Sequence, residues 1–326
     1  MRIAVVGAGA WGTALAVHFA RAGHAVTVWA RRAAAAAEIA SGANPTHLPG
    51  VAVPKMAATH DLGEAVRDAE MVVMVVPSEF SRHTYAALRG ALRGDAVVVS
   101  ATKGLELPSL RRMSEVAAEE LAGQRIAVIS GPSFAAEVAI GQPTTVVVAS
   151  HTIDVAELVQ NAVSTRTFRA YSSPDVVGVE LGGALKNVIA IAAGIVDGLG
   201  HGHNTVAALI TRGLAEMTRL AVASGARPDT LAGLAGLGDL VLTCTGHLSR
   251  NRSFGQALGR GASVEQALGE RRSVVEGIRT TAAACDLAGA AGIEMPIASH
   301  MRAVLYEGKP VRDAVDDLMS RSLKRE

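Results

Sequence analysis

The stretch IAVVGAGAWGTALAVHFA, residues 3–20, joins a short apolar run to a glycine-rich turn and an apolar segment of helical spacing. Gly7, Gly9 and Gly12 follow the pattern G-x-G-x-x-G. The first glycine permits a tight turn, the second lets the backbone approach a pyrophosphate, and the third lets the helix pack on the strand. The N–H groups and the dipole at the start of the helix favour an anion there. The stretch therefore predicts a dinucleotide-binding βαβ unit at the start of the chain.

The same stretch has features of a secretory signal peptide, because an early Arg2 precedes a long run of small apolar residues. The strand–glycine–helix order favours the dinucleotide-binding interpretation. The two cysteines, Cys244 and Cys285, indicate neither a disulfide framework nor a metal cluster. A cytoplasmic protein is therefore expected.

The composition narrows the class of protein. A chain of 326 residues exceeds one typical core, so two domains are expected. With 49% hydrophobic and 19% charged residues it suits a well-packed protein rather than a disordered one. The net charge of +1 gives no overall field that would favour nucleic acid or an anionic membrane. No uninterrupted apolar run reaches the ~18 residues of a membrane span, so no membrane insertion is expected.

The first half of the sequence alternates apolar strands with helical segments. Strands are expected at residues 3–6, 24–30, 71–76, 96–100, 126–130 and 144–150, with the first two helices at 10–22 and 32–41. Continuously apolar strands separated by helices are typical of a parallel sheet covered on both faces. From residue 175 onward the pattern is helical. The sequence predicts a Rossmann-type α/β domain with a mainly parallel sheet at 1–173 and an all-α substrate domain at 174–326.

The end of the second strand bears on the choice of dinucleotide. A chain that prefers NAD usually has a carboxylate there for the ribose 2′-hydroxyl, whereas this chain has Arg31 and Arg32. Guanidinium groups bind phosphate strongly. The sequence thus predicts NADPH as the preferred cofactor, with NADH possible, unless the two arginines are solvated residues at a helix start.

The segment VELGGALKNVIAIAAGIV, residues 179–196, is apolar nearly all round, yet Lys186 stands in its middle. Burial disfavours the ammonium and lowers the pKa of a lysine toward the range useful for acid–base catalysis. Lys186 is the candidate catalytic residue: protonated, it donates to a carbonyl oxygen as hydride arrives, and neutral, it accepts the alcohol proton. A snorkelling or ion-paired lysine is the structural alternative.

Polar residues follow two of the expected strands. Lys103 comes after the strand at 96–100, and Gly131 and Ser133 come after the strand at 126–130. Ligands of such sheets bind beyond the carboxyl ends of the strands. These residues are therefore candidates for substrate binding, although ordinary turns use the same residue types.

A second polar group lies in the helical half. Ser249, Arg250 and Asn251 belong to a run dense in donors for anions, and Asp239 lies just upstream. Asp239 could orient Lys186 or hold it charged. The run predicts a segment that binds an anion such as phosphate, with an exposed basic loop as the alternative.

Seven motifs, GAGAWGTALA, SATKGLE, SGPSFAAEV, ELGGALKNVIAIAAGI, NTVAALITRGLAEM, GLGDLVLTCTGHLSRNRSFG and VVEGIRT, together resemble bacterial NAD(P)-dependent glycerol-3-phosphate dehydrogenases over essentially the whole chain. The resemblance implies reduction of dihydroxyacetone phosphate to sn-glycerol 3-phosphate for phospholipid synthesis, with Lys186 as proton acceptor in the reverse direction. It implies these substrate-binding residues: Lys103, Gly131, Ser133, Lys186, Asp239, Ser249, Arg250 and Asn251. Besides the glycines of the first motif, it implies these cofactor-binding residues: Trp11, Arg31, Arg32, Lys103, Ala135, Arg250, Val274 and Glu276.

Two places depart from the family's usual pattern. Ala10 stands before Trp11 where the family often has serine, and His201 and His203 form an H-x-H pair. With no third ligand in view, no metal is expected. A related hydroxyacid dehydrogenase and a non-catalytic dinucleotide-sensing module remain alternatives. The Gly- and Ala-rich helical half could support a homodimer.

Overall fold

The computed structural model describes residues 1–269 and 275–322. The chain divides into two compact units, unit 1 from Met1 to Glu180 and unit 2 from Leu181 to Glu326. Val274, which the resemblance assigns to the cofactor, lies outside the described residues.

Unit 1 contains an eight-stranded sheet in the order β3-β2-β1-β4-β5-β6-β7-β8. The strands are β1 (Arg2–Val6), β2 (Ala25–Trp29), β3 (Ala57–Thr59), β4 (Met71–Met74), β5 (Val97–Ser100), β6 (Arg125–Ser130), β7 (Thr144–Ala149) and β8 (Phe168–Ser173). All neighbouring strands are parallel except β6 and β7. The predicted α/β domain with a mainly parallel sheet is confirmed.

Helices connect the strands of unit 1: α1 (Ala10–Arg21), α2 (Ala33–Ala40), α3 (Leu62–Val66), α4 (Ser78–Ala87), α5 (Met113–Glu120), α6 (Ala135–Ala139) and α7 (Ile153–Val163). Two apolar clusters form the core of the unit. Leu15 and Phe19 of α1 belong to one, and Tyr85 of α4 and Met113 of α5 belong to the other. Strands β1, β4 and β5 contribute alternate residues to both clusters, which explains why these strands are continuously apolar.

Strands β3 and β8 were not predicted from the sequence. β3 is a three-residue strand at the edge of the sheet, with none of its residues fully buried. β8 alternates buried Phe168 and Ala170 with exposed Arg169 and Tyr171, which is the pattern of an edge strand rather than of a central parallel one. The antiparallel direction of β7 was also not predicted, because a continuous apolar run carries no information about direction.

In its described residues, unit 2 consists of helices and turns without a strand, which confirms the helical C-terminal domain. Helix α8 (Val176–Gly198) enters it from unit 1. The others are α9 (His203–Ala223), α10 (Pro228–Ala232), a π-helical segment (Leu234–Gly238), α11 (Asp239–Thr245), α12 (Arg250–Gly259), α13 (Val264–Leu268), α14 (Glu276–Ala291), α15 (Pro296–Tyr306) and α16 (Val311–Met319).

Helix α8 is the one helix among the described residues that is long and apolar enough to cross a membrane. Its most apolar window is entirely buried inside the protein. The core helix of a globular protein has the same length and composition, so this feature is weak evidence for a membrane span.

Glycines bring the backbone of α8 against that of α12. A Cβ on Gly194 would overlap the carbonyl oxygen of Arg252, and a Cβ on Gly255 would overlap that of Ile191. Any other residue at these positions would separate the two helices. The contact fixes the start of α12, and therefore the segment 249–251, relative to the middle of α8.

Glu216 is a buried carboxyl group of α9 that receives the first backbone N–H groups of α15. The N–H of Ile297 donates to Oε1 at 2.8 Å, and that of Ala298 to Oε2 at 3.4 Å. Burial nevertheless dominates and raises the pKa of Glu216 to about 7.

We expect the stability of unit 2 to depend on pH through Glu216. The folded-state pKa of Glu216 lies above its unfolded value, so the protonated carboxyl group stabilises the folded state. This stabilisation is complete below the unfolded pKa and is lost as the pH rises through about 7. The unfolding free energy of Glu216→Gln, minus that of the wild type, should increase by roughly 2–3 kcal/mol between pH 5 and pH 8. Urea unfolding at both pH values measures this difference, with exposed Glu307→Gln as the control. A difference that does not change with pH would contradict the assignment.

Candidate active site

The glycine turn between β1 and α1 leaves open space at the start of the helix. Gly7 has φ +127°, and a Cβ there would lie 2.6 Å from the carbonyl oxygen of Val75. A Cβ on Gly12 would overlap the carbonyl oxygen of Gly7, whereas one on Gly9 would meet nothing within 4 Å. Among the residues that the structure describes, no side chain caps the N-terminus of α1 at Gly9. The turn therefore fits the diphosphate of a dinucleotide.

Trp11 provides a second indication of a ligand. Its Nε1 is buried, and no atom of the described residues accepts a hydrogen bond from it. A buried donor without a partner is rare in proteins and calls for an explanation. A polar atom of a bound dinucleotide would satisfy this one.

Arg31 and Arg32 lie directly after β2, and both are exposed. The guanidinium of Arg31 lies over the ring of Phe80 in α4, 5.8 Å from its centroid. This cation–π contact restricts the guanidinium. The sequence analysis did not identify Phe80, because its position beside Arg31 depends on the strand order β2-β1-β4.

Three predicted substrate residues lie together at the carboxyl ends of β5 and β6. Lys103 Nζ donates to the carbonyl oxygen of Gly131 at 3.1 Å, and Ser133 Oγ donates to the same oxygen at 2.9 Å. Gly131 has φ +140°, and a Cβ there would lie 2.9 Å from the Cα of Val146. Ala135, the first residue of α6, follows directly. Unit 1 thus places a lysine and a hydroxyl beyond the carboxyl ends of the strands, where ligands of such sheets bind.

Unit 2 contains a buried cluster around Lys186. The ammonium, whose residue is 6% exposed, donates to Asp239 Oδ1 at 2.5 Å and to Thr243 Oγ1 at 2.9 Å. The Thr243 hydroxyl donates in turn to the carbonyl oxygen of Asp239 at 2.6 Å. The adjacent carboxylate of Asp239 offsets the cost of burying the ammonium, so the two side chains form a buried ion pair.

The π-helical segment Leu234–Gly238 brings Asp239 to this position. A Cβ on Gly182 of α8 would lie 2.5 Å from the carbonyl oxygen of Ala235, so the segment and α8 are in backbone contact. Short π-helical turns occur often at functional sites. Thr243 follows Asp239 by four residues and therefore lies on the same helical face.

A chain of amide hydrogen bonds runs beside the lysine. Asn251 Nδ2 donates to Asn187 Oδ1 at 2.9 Å, and the backbone N–H of Gly277 donates to Asn251 Oδ1 at 3.0 Å. Asn187 Nδ2 is buried and has no hydrogen-bond partner among the described residues. Glu276, a predicted cofactor residue, immediately precedes Gly277 at the start of α14. The structure therefore places Asn251 where it orients Asn187, a role that the sequence analysis did not consider.

Ser249 and Arg250 begin α12 in different ways. Ser249 is buried and accepts the N–H of Arg252 with its Oγ at 3.2 Å, so it caps the helix. Arg250 is exposed at the first helical position. Of the two predicted substrate residues, only Arg250 presents its side chain to solvent.

The described residues contain no group of three or more His, Cys, Asp or Glu side chains that could hold a metal ion. His201 and His203 are both exposed near the start of α9.

Family models, curated relatives and a solved structure all relate this chain to glycerol-3-phosphate dehydrogenases. Residues 2–156 match the family described as the N-terminus of NAD-dependent glycerol-3-phosphate dehydrogenase, and residues 175–316 match that of its C-terminus. The chain is 53% identical to a glycerol-3-phosphate dehydrogenase (NAD(P)+) of Geobacter sp. (strain M21), over 100% of this chain and 98% of the relative. A relative of the same name from Rhodospirillum rubrum is 52% identical, over 99% and 93%. The crystal structure of glycerol-3-phosphate dehydrogenase from Coxiella burnetii is similar with a TM-score of 0.94 and 41% identity, over 98% and 99% of the two chains.

Proposed function

The chain belongs to the NAD-dependent glycerol-3-phosphate dehydrogenase family, and on that basis we propose that it reduces dihydroxyacetone phosphate reversibly to sn-glycerol 3-phosphate. The observation that carries the proposal is the Lys186 ammonium, buried with Asp239 and Thr243 beside the amide of Asn187. When bound, NAD(P)H supplies the hydride that adds to the carbonyl carbon. The reaction would supply glycerophospholipid synthesis in the cytoplasm.

Lys186 is the proton donor of the reduction. As hydride reaches carbon, negative charge develops on the carbonyl oxygen, and the ammonium transfers a proton to it so that a hydroxyl forms. Asp239 and Thr243 accept hydrogen bonds from the amine and fix its position. In the reverse direction the neutral amine accepts the alcohol proton. The Nδ2 of Asn187, which has no partner within the described part of the chain, is suited to donate to the same substrate oxygen.

Arg250 binds the phosphate group of the substrate in this proposal. It is exposed at the start of α12, where its charge and the helix N-terminus both favour an anion. Ser249 and Asn251 support it indirectly, since the first caps α12 and the second orients Asn187. Lys103, Gly131 and Ser133 remain proposed substrate contacts of unit 1.

The glycine turn and Trp11 bind the dinucleotide in this proposal, and the preferred form is NADPH. Arg31, restrained over Phe80, and Arg32 would meet the 2′-phosphate that NADH lacks. The other proposed cofactor residues are Lys103, Ala135, Arg250, Val274 and Glu276. A homodimer remains a proposal, as does the absence of nucleic acid as a partner.

An assay of NADPH oxidation with dihydroxyacetone phosphate, repeated with NADH, tests the activity. Turnover of this substrate supports the proposal. Turnover only with the oxo forms of 3-hydroxy acids would indicate a related hydroxyacid dehydrogenase. Dinucleotide binding without turnover of either would indicate a sensing module.

We expect Lys186→Ala to lower kcat by at least ~10²-fold, the usual scale for a general acid, while the Kd for NADPH stays near that of the wild type. Because the variant leaves the Asp239 carboxylate buried without its cation, Lys186→Met/Asp239→Asn serves as a second variant with no uncompensated charge. Steady-state kinetics and calorimetric NADPH binding measure the two quantities, with exposed Lys55→Ala as the control. Near-normal turnover in both Lys186 variants would exclude the assigned role.

Arg250→Ala should raise the KM for dihydroxyacetone phosphate by about 10- to 100-fold, the range for loss of a charge-assisted hydrogen bond. At saturating NADPH, the kcat/KM for unphosphorylated dihydroxyacetone should change little, because the lost substrate contact involves only the phosphate. Arg260→Ala, at the exposed end of the same helix, is the matched control. Equal losses on both substrates would place Arg250 away from the phosphate.

Replacing Arg31 and Arg32 together by alanine should remove most of the preference for NADPH over NADH. A guanidinium–phosphate contact at an exposed position corresponds to roughly a 10- to 100-fold preference, which should decrease as the salt concentration rises. Kd values of both dinucleotides at low and high salt measure this. An unchanged ratio would mean that the arginines are solvated and that the protein does not select NADPH through them.

A further inference from the structure

Asn44 is a buried polar residue of unit 1 that the proposed chemistry does not use. It lies in the segment between α2 and β3, and its Nδ2 donates to the carbonyl oxygen of Ala8 at 3.0 Å and to Thr13 Oγ1 at 2.7 Å. Its Oδ1 accepts the backbone N–H of His47 at 3.2 Å. Both amide hydrogens and the amide oxygen of Asn44 are thus engaged. Two of its three partners belong to the glycine turn and the helix that follows it.

The hydrogen bond to Ala8 also determines the direction of a donor. The peptide between Ala8 and Gly9 is trans, so its C=O and N–H point in opposite directions. The hydrogen bond from Asn44 to the Ala8 carbonyl oxygen therefore also fixes the direction of the Gly9 N–H. This N–H belongs to the turn that would approach the diphosphate. Thr13 Oγ1 lies 3.4 Å from the same carbonyl oxygen, so Asn44, Thr13 and Ala8 form one network.

We propose that Asn44 is a positioning residue that holds the turn at residues 7–12 in its binding conformation before the dinucleotide arrives. The inference rests on the proposed dinucleotide binding. The buried side chains of Leu48 and Val53 already attach the segment between α2 and β3 to the core. A buried amide at position 44 is therefore not needed for that attachment. A preordered turn loses less conformational entropy when the ligand binds. The diphosphate is common to NADPH and NADH, so the effect of Asn44 is equal for both.

Calorimetric titration of Asn44→Ala with NADPH and with NADH tests this role. We expect both Kd values to rise by a similar factor of about ten, the scale of lost hydrogen bonds to fixed polar groups. At saturating dinucleotide, kcat and the KM for dihydroxyacetone phosphate should stay within about twofold of the wild type. Amide hydrogen exchange in the ligand-free protein should be faster at residues 8–12, a change that does not depend on turnover.

Four further variants separate positioning from general destabilisation. Thr13→Val should raise both Kd values, and the Asn44→Ala/Thr13→Val pair should be less than additive because the two residues share one network. Leu48→Ala lowers stability without removing an Asn44 donor, so it should weaken binding less than Asn44→Ala does. Ser41→Ala, an exposed hydroxyl bonded to the carbonyl oxygen of Glu38, is the neutral control.

These measurements distinguish failure of the proposed dinucleotide binding from failure of the proposed role of Asn44. If the wild type binds neither dinucleotide, the proposed function is wrong. If the wild type binds the dinucleotides and Asn44→Ala and Thr13→Val bind them as tightly as the wild type does, the proposed role of Asn44 is wrong. It is also wrong if Leu48→Ala weakens binding as much as Asn44→Ala does. Thr13→Val remains informative if Asn44→Ala does not fold.

Discussion

Backbone contact around helix α8 is the constraint on which the rest of unit 2 depends. Glycines on α8 face the π-helical segment at Gly182 and face α12 at Gly194 and Gly198. Gly213 of α9 leaves room for the side chain of Ile189, and a Cβ on Gly277 of α14 would lie 2.8 Å from the carbonyl oxygen of Asn187. Because glycines bring α8 into backbone contact with the π-helical segment and with α12, Asp239 and Asn251 reach the middle of an otherwise apolar helix.

This arrangement solves the problem of placing an ammonium in an apolar environment. A buried charge is tolerated only with an opposite charge and hydrogen bonds of good geometry. Asp239 supplies the charge for Lys186, and Thr243 supplies a further acceptor. The N–H of Gly277 holds Asn251, and Asn251 donates to Asn187, so the orientation of the Asn187 amide is fixed. The Nδ2 of Asn187 therefore has its direction before a ligand binds. Polar groups held in this way change little during reaction, which is the basis of electrostatic preorganisation.

Local sequence signals were sufficient for the fold class and for the burial of Lys186. The glycine pattern and the apolar periodicity act over a few residues, and a lysine in an apolar helix is conspicuous without knowledge of its neighbours. The short edge strand β3 and the alternating strand β8 lack that signal. Contacts such as Arg31 with Phe80 and Asn44 with Ala8 depend on which distant segments the sheet brings together. The run Ser-Arg-Asn-Arg indicated anion binding, but its composition could not show that Ser249 caps a helix and that Asn251 turns toward Asn187.

The indole of Trp11, whose Nε1 has no hydrogen-bond partner among the described residues, has a practical consequence. The chain has two tryptophans, and the other, Trp29, already donates to the carbonyl oxygen of His60 at 3.0 Å. Indole emission responds to hydrogen bonding and to nearby acceptors of excitation energy, and the nicotinamide of a reduced dinucleotide is such an acceptor. The molecule therefore contains an intrinsic fluorophore at the glycine turn, and if the dinucleotide binds there as proposed, its binding would be followed optically without a label.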